Sequence, residues 1–184
     1  LRGIVELAAQ LKAERRSGKQ NDSLRGRTLV MLFQKTSTRT RLSFEAAMTE
    51  LGGHGIFLDA RTTQLGLADF RDEIRAIMRM GDALMFRALR AADVELAASM
   101  DVVPVIDACS ERYHPCQALG DLLTMAENAG GLDKIKKIAW LGIENNVSNT
   151  LSLACAKLGI RVAIAAPEAD PSSVDPELNA QAEA

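Results

Sequence analysis

Cysteine is scarce in this 184-residue chain: Cys109, Cys116 and Cys155 are the only three. They lack the paired short spacing of a zinc site and are too few for a disulfide framework, so no metal is expected, and a reducing, cytoplasmic setting is the default. Histidine is scarcer still, with two residues. An excess of either charge is also missing. Twenty-two basic and 24 acidic side chains leave a net charge of −2, which excludes the broad field that draws proteins onto nucleic acid or anionic membranes. Any anion site must then be local. No apolar run approaches the roughly 20 residues of a membrane span. Residues Leu1 to Arg16 carry the spacing of an amphipathic helix and not of a signal peptide. The chain opens without Met and in mid-pattern, and a few residues are expected upstream.

What is present is enough apolar content, 47%, to bury a substantial core. Thr28 to Phe33 is a nearly continuous apolar run, the pattern of a strand buried on both faces of a parallel sheet. Strand and helix then alternate. Leu42 to Leu51, Asp69 to Met80 and Ala91 to Ser99 read as helices; Gly55 to Leu58, Ala83 to Phe86 and Val102 to Ile106 read as strands. A helix from Pro115 to Asn128 ends at Gly130-Gly131, where a domain boundary is expected. Ile135 to Leu141, Asn146 to Leu158 and Arg161 to Ala165 add one strand, helix and strand, too little for a sheet of the usual five or six strands. The tail from Pro167 reads as loop or frayed end. The expected fold is α/β: a doubly wound parallel sheet domain over residues 1–130, and the beginning of a second α/β domain over 131–184.

The first strand runs into Gln34-Lys35-Thr36-Ser37-Thr38-Arg39-Thr40-Arg41. A hydroxyl-rich, cationic loop that opens a helix at the carboxyl end of a buried strand has the parts of an anion site. These are free backbone N–H groups, hydroxyl donors from Ser37, Thr38 and Thr40, and the forked guanidinium of Arg39. A capped helix with solvated arginines would carry the same residues. Further along, His114 and Gln117 stand three apart around Pro115, which suits a first helical turn. A neutral imidazole can donate to a carbonyl oxygen while an amide oxygen accepts from an NH2 group. A cap or surface histidine is the plainer alternative. Arg87 closes a short apolar strand, where a salt-bridge role is equally open.

Together these stretches resemble a known family. Phe33-Gln34-Lys35-Thr36-Ser37-Thr38-Arg39-Thr40-Arg41-Leu42-Ser43-Phe44-Glu45 is similar to the carbamoyl phosphate signature of the aspartate and ornithine carbamoyltransferases, and His114-Pro115-Cys116-Gln117 is similar to that family's His-Pro-x-Gln motif. The resemblance implies that Ser37, Thr38, Arg39 and Thr40 grip the phosphate of carbamoyl phosphate. Arg87 would touch both phosphate and carbonyl oxygen. His114 would donate to that oxygen and Gln117 would hold the carbamoyl NH2. Arg39, Thr40, Arg87 and His114 are thereby the implied catalytic residues, with no cofactor, metal or covalent nucleophile. Thr63-Gln64-Leu65-Gly66 resembles a segment whose glutamine enters a neighbouring subunit's site, which implies a homotrimer or a multiple of one. Asn145 and Asn146, after Gly142-Ile143-Glu144, resemble the paired asparagines of the ornithine enzymes, the second of which binds the amino-acid end of ornithine; on spacing alone a helix cap by either is equally open. The implied reaction is carbamoyl transfer to the side-chain amine of ornithine. Putrescine, an acylated ornithine or aspartate are the alternative acceptors, and a non-catalytic anion-binding module is the alternative of another class.

The chain also departs from the family pattern. Ile143 stands where an Asp is usual, and Asp69 and Glu73-Ile74-Arg75 replace the usual Glu and Asp-Thr-Ala. The later ornithine-binding motifs have no counterpart, so the chain is expected to be part of a longer enzyme. A partial second sheet should expose apolar edges at Ile138, Trp140 and Val162.

Overall fold

Strand β1 (Thr28–Phe33) is apolar at nearly every position because it is flanked on both edges and covered on both faces. In the computed structural model, which describes residues 1–183, it pairs in parallel with β2 (His54–Asp59) on one side and β3 (Ala83–Arg87) on the other; β4 (Val105–Cys109) extends the sheet in the order β2-β1-β3-β4. Its side chains alternate between two cores. Leu29, Met31 and Phe33 join Met48 of α2 (Thr38–Glu50). Val30 and Leu32 join Ile74, Ile77 and Met78 of α3 (Phe70–Met78), together with Val94 and Ala97 of α4 (Ala91–Ser99). Each such side chain contributes about 1.5–3 kcal/mol on full burial, and a one-residue slip would send every one of them to the wrong face. The doubly wound parallel sheet expected from the sequence is therefore present. At its amino end Asp82 takes the Thr28 N–H (2.8 Å) and Arg27 (2.7 Å). The backbone bond from Thr28 comes first in holding the Asp82 carboxyl below its ordinary range.

Two elements begin three or more residues from where the sequence pattern indicated. Helix α2 starts at Thr38, four residues before Leu42, because Ser37 caps it in extended conformation and draws Thr38 to Arg41 into the first turn. Strand β4 starts at Val105, three residues after Val102, since Pro104 has no N–H for the ladder.

Contacts gather the chain into two compact units, Glu14–Ser110 and Leu1–Ala13 with the residues from Glu111 onward. This division does not coincide with the Gly130-Gly131 pair, because α5 (Pro115–Ala129) clusters with the residues after it. The glycines are the stop signal of α5: Gly130 is left-handed (φ 79°) and Gly131 also has positive φ (131°), which side-chain-bearing residues adopt only with strain. In this second unit Val5 of α1 (Arg2–Arg16), Ala118 and Leu122 of α5, and Leu151, Ala154 and Cys155 of α6 (Asn146–Lys157) share a core. Burial pushes the Cys155 thiol up to about 11, which marks it as a packing residue. Strands β5 (Lys137–Leu141) and β6 (Arg161–Ala165) pair in parallel. Ile138, Trp140 and Val162, expected at exposed edges, are instead half-buried against that core, while Leu141, Ile143 and Ile164, on or just after these strands, are exposed. No helix among the described residues is long and apolar enough to cross a membrane.

The tail is not the loop that its composition suggested. Pro176–Glu183 form α7, with Leu178 buried. Asp175, also buried, accepts from the Leu178 N–H (3.0 Å) and from the Tyr113 hydroxyl (2.6 Å). Composition misled because one proline at the start of a helix and one capping aspartate are helix signals, not breakers. The Tyr113 bond comes first in depressing the Asp175 pKa, so its stabilisation is present above the ordinary carboxylate range and is lost as pH falls through the depressed value. Tyr113→Phe should therefore speed hydrogen exchange at the Leu178 amide about tenfold or more at neutral pH, in line with a loss of roughly 1.5–3 kcal/mol for a hydrogen bond to a charged group. The difference from wild type should vanish in acid, and unchanged exchange at neutral pH would contradict the tie.

Candidate active site

The sheet order places a topological switch at the carboxyl ends of β1 and β3: one connection from β1 leads to β2 on one side, and β3 lies on the other. Such a point opens a crevice in an open α/β sheet. Four of the expected residues converge on the β1 side of it. Ser37 caps α2, its Oγ accepting from the Thr40 N–H (3.4 Å) and donating to the Thr40 hydroxyl oxygen (2.9 Å). Thr40 is buried, while Thr38 and Arg39 are exposed in the first turn. Their N–H groups lead the helix and have no carbonyl of an earlier turn to bind, and the helix dipole adds partial positive charge at the same end.

The two arginines of the motif part company here. Arg41 lies over the Phe57 ring (3.8 Å to its centre) and pairs with Glu45 (2.9 Å), which commits it to structure. Arg39 has no ion-pair partner among the described residues.

On the β3 side stands Arg87. A bulge shifts the register between Phe86 and Arg87 against β4, so that Phe86 pairs with Asp107 but Arg87 with Cys109; bulges commonly re-aim a side chain beside a site. Arg87 Nε and Nη1 are buried and have no hydrogen-bond partner. A buried guanidinium left in this way is costly unless a ligand answers it. The two sides of the switch are tied by the Gln34 N–H, which donates to the Arg87 carbonyl (2.9 Å). A cavity of about 700 Å³ adjoins the loop, bounded by Lys35, Ser37 and Thr38 and by Phe57, Asp59 and Arg61. Arg61 holds the Asp59 carboxyl down to about 2 through their hydrogen bond, so that cation is already answered. Gln64 lies in the same unit, exposed, at the start of a short 3-10 turn capped by Thr63.

The remaining expected residues belong to the second unit. His114 is the N-cap residue of α5 but makes no side-chain cap bond; its N–H donates to Thr150 Oγ1 (2.8 Å). Gln117 donates its Nε2 to Asp121 (2.8 Å), which leaves the amide's oxygen end as the acceptor. Asn145 caps α6, its oxygen accepting from the N–H groups of Val147 (2.9 Å) and Ser148 (3.4 Å) in a capping box. Asn146 is the first residue of the helix and is half-buried. A larger cavity of about 980 Å³, along β6 with α6 and α7, contains none of these residues.

Sequence reasoning passed over several supports. Gln34, Asp93 and Arg90 meet beside the switch; Gln34 lay inside the motif, but nothing in the pattern linked it to a residue on α4. Asn149, buried, donates to the carbonyls of Arg112 and Ser173, and the Ser173 hydroxyl donates to the Glu111 carbonyl (2.6 Å), which steadies the segment that leads into His114.

Known proteins are similar to this chain in sequence and in fold. Residues 1–127 match the family model of the aspartate/ornithine carbamoyltransferase, carbamoyl-P binding domain. The ornithine carbamoyltransferase of Methanoculleus marisnigri is 44% identical over 168 residues, covering 91% of this chain and 54% of that protein. That of Thermotoga maritima is 41% identical over 169 residues, with the same coverage. The chain thus spans about half the length of the curated relatives it matches. Among solved structures, ornithine carbamoyltransferase from Pyrococcus furiosus aligns with a TM-score of 0.89 at 41% identity, over 97% of this chain and 56% of that one. The Thermus thermophilus enzyme aligns with a TM-score of 0.84 at 39% identity, over 98% and 61%. With the signature loop at the switch point, the parallel sheet behind it and a family match over most of its length, this chain belongs to the aspartate/ornithine carbamoyltransferase family.

Proposed function

We propose that the chain binds carbamoyl phosphate and serves the transfer of its carbamoyl group to the side-chain amine of ornithine, giving citrulline and phosphate. The observation that carries this reading is the buried, partnerless edge of Arg87 beside the open start of α2: a cation and a set of backbone donors that only an anion would satisfy. Residues 1–130 would act as the carbamoyl phosphate-binding domain and 131–184 as the beginning of the ornithine-binding one, in a cytoplasmic enzyme built as a homotrimer or a multiple of one, with Gln64 serving a neighbouring subunit.

In the reaction the neutral amine attacks the carbamoyl carbon, the bond from that carbon to the phosphate ester oxygen breaks, and the amine proton is lost. Ser37, Thr38, Arg39 and the helix start bear the charge that moves onto phosphate; preorganised donors of this kind are the largest single source of rate in many enzymes. Thr40, Arg87 and His114 would donate to the carbonyl oxygen as it gains charge. The Gln117 oxygen, left as acceptor by the bond from Nε2 to Asp121, suits the carbamoyl NH2 and would set the angle of attack. Asn145 gives its oxygen to the α6 cap; Asn146, the second of the pair, would hold the amino-acid end of ornithine.

Offered ornithine, putrescine, N-acetylornithine and aspartate in turn with carbamoyl phosphate, the complete gene product should release phosphate with ornithine and form citrulline. Release with another amine alone would reassign the acceptor, and binding of carbamoyl phosphate without release would make the chain an anion-binding module. Arg39→Ala should weaken carbamoyl phosphate binding by about tenfold or more, since hydrogen bonds to charged groups contribute roughly 1.5–3 kcal/mol each; unchanged affinity by calorimetry would remove Arg39 from the site. For His114 the expected role is a neutral donor, so His114→Asn should keep more activity than His114→Ala. Equal loss in both, with the imidazole-range limb of the pH profile gone, would make it a base instead.

A further inference from the structure

Gln34 occupies the narrow place where the chain leaving β1 passes the chain leaving β3, and all of its polar groups but its carbonyl are accounted for there. Its N–H donates to the Arg87 carbonyl (2.9 Å), its Oε1 accepts from the Leu89 N–H (2.8 Å), and its Nε2 donates to Asp93 Oδ2 (3.3 Å). Asp93, 6% exposed on α4, also accepts from Arg90 Nη2 (2.6 Å) and Nε (3.4 Å). The partners fix the orientation of the amide, since a flip would set its oxygen against a carboxylate and its NH2 against an N–H. A single residue, three positions before the α2 cap, thus binds Arg87 itself, the turn after it and the helix beyond.

We propose that Gln34, oriented by Asp93, is a positioning residue that sets the spacing between the Ser37–Thr40 helix start and Arg87. It needs no contact with the ligand. Its backbone is the first step of the signature loop, and its side chain reaches the first residues after Arg87, so the two halves of the anion cradle cannot drift apart without breaking these bonds. The inference rests on the carbamoyl phosphate reading of the site. There, Arg87 must meet a phosphate and the adjoining carbonyl oxygen together, and small displacements of a binding group are expensive for a ligand with two recognised ends. Inorganic phosphate has only one end to place. A residue that sets spacing should therefore matter more for carbamoyl phosphate than for phosphate, whereas a residue that only supports the fold should weaken both alike.

The test is calorimetric titration of the chain with carbamoyl phosphate and with inorganic phosphate, alongside thermal melting, for wild type, Gln34→Ala, Gln34→Glu and the double variant Gln34→Glu/Asp93→Asn. Gln34→Ala should weaken carbamoyl phosphate about tenfold and phosphate by less than about threefold, which narrows the preference between them. Gln34→Glu keeps the acceptor for Leu89 but sets a carboxylate against Asp93, so it should show the same narrowing. The double variant restores a donor–acceptor pair with its direction reversed, the introduced amide on α4 donating to the introduced carboxylate after β1, and should recover the wild-type preference. Equal losses for both anions, no loss, or a double variant no better than Gln34→Glu would overturn the inference while leaving the carbamoyl phosphate reading intact. If wild type binds neither anion, that reading fails and the inference falls with it.

Discussion

The carboxyl end of β1 is the point on which the rest of the first unit depends. Burial of Leu29 to Phe33 between two cores fixes the strand in register, and the chain must then leave it beside a neighbour, β3, whose own exit leads to another helix. What is placed there works against stability: a guanidinium with two buried nitrogens and no partner. Leaving a buried polar group unsatisfied costs roughly 1–3 kcal/mol. Five buried apolar side chains on β1 alone, at about 1.5–3 kcal/mol each, outweigh that cost, which is why the strand next to the site is the most apolar stretch of the chain.

Two other arginines near the loop are already engaged. Arg41 stacks on Phe57 and pairs with Glu45, and Arg61 is bound to Asp59. These pairs are largely exposed, and exposed pairs contribute only about 0–1 kcal/mol, so their effect is chiefly one of arrangement. Arg39 and Arg87, by contrast, have no carboxylate partner among the described residues, and the same is true of Lys35 in the loop.

Much of this was legible in the sequence because it is carried by contiguous residues. The apolar run of β1, the hydroxyl-rich loop after it and the proline after His114 each state their structure within a few positions, and α4 and β6 have the bounds their periodicity indicates. What was not legible depends on pairs distant along the chain. Asp93 lies 59 residues from Gln34 and reads on its own as an ordinary acidic residue in the first turn of a helix. Tyr113 and Asp175, 62 residues apart, turn a polar tail into an anchored helix. The early start of α2 was missed for a local reason: Ser37 to Thr40 have the composition of a loop, and only the extended cap at Ser37 makes the rest a first turn.

The bond from the Gln34 N–H to the Arg87 carbonyl has a consequence for motion. It continues the ladder between β1 and β3 by one rung beyond their last register pair. A fluctuation that parted Arg87 from the loop would have to break this rung and the side-chain bonds of Gln34 to Leu89 and Asp93 with it. Gln64, on an exposed 3-10 turn, lies outside that ladder. The spacing between Arg87 and the start of α2 is therefore held by the sheet and its extra rung, while the placement of Gln64 rests on the short turn capped by Thr63.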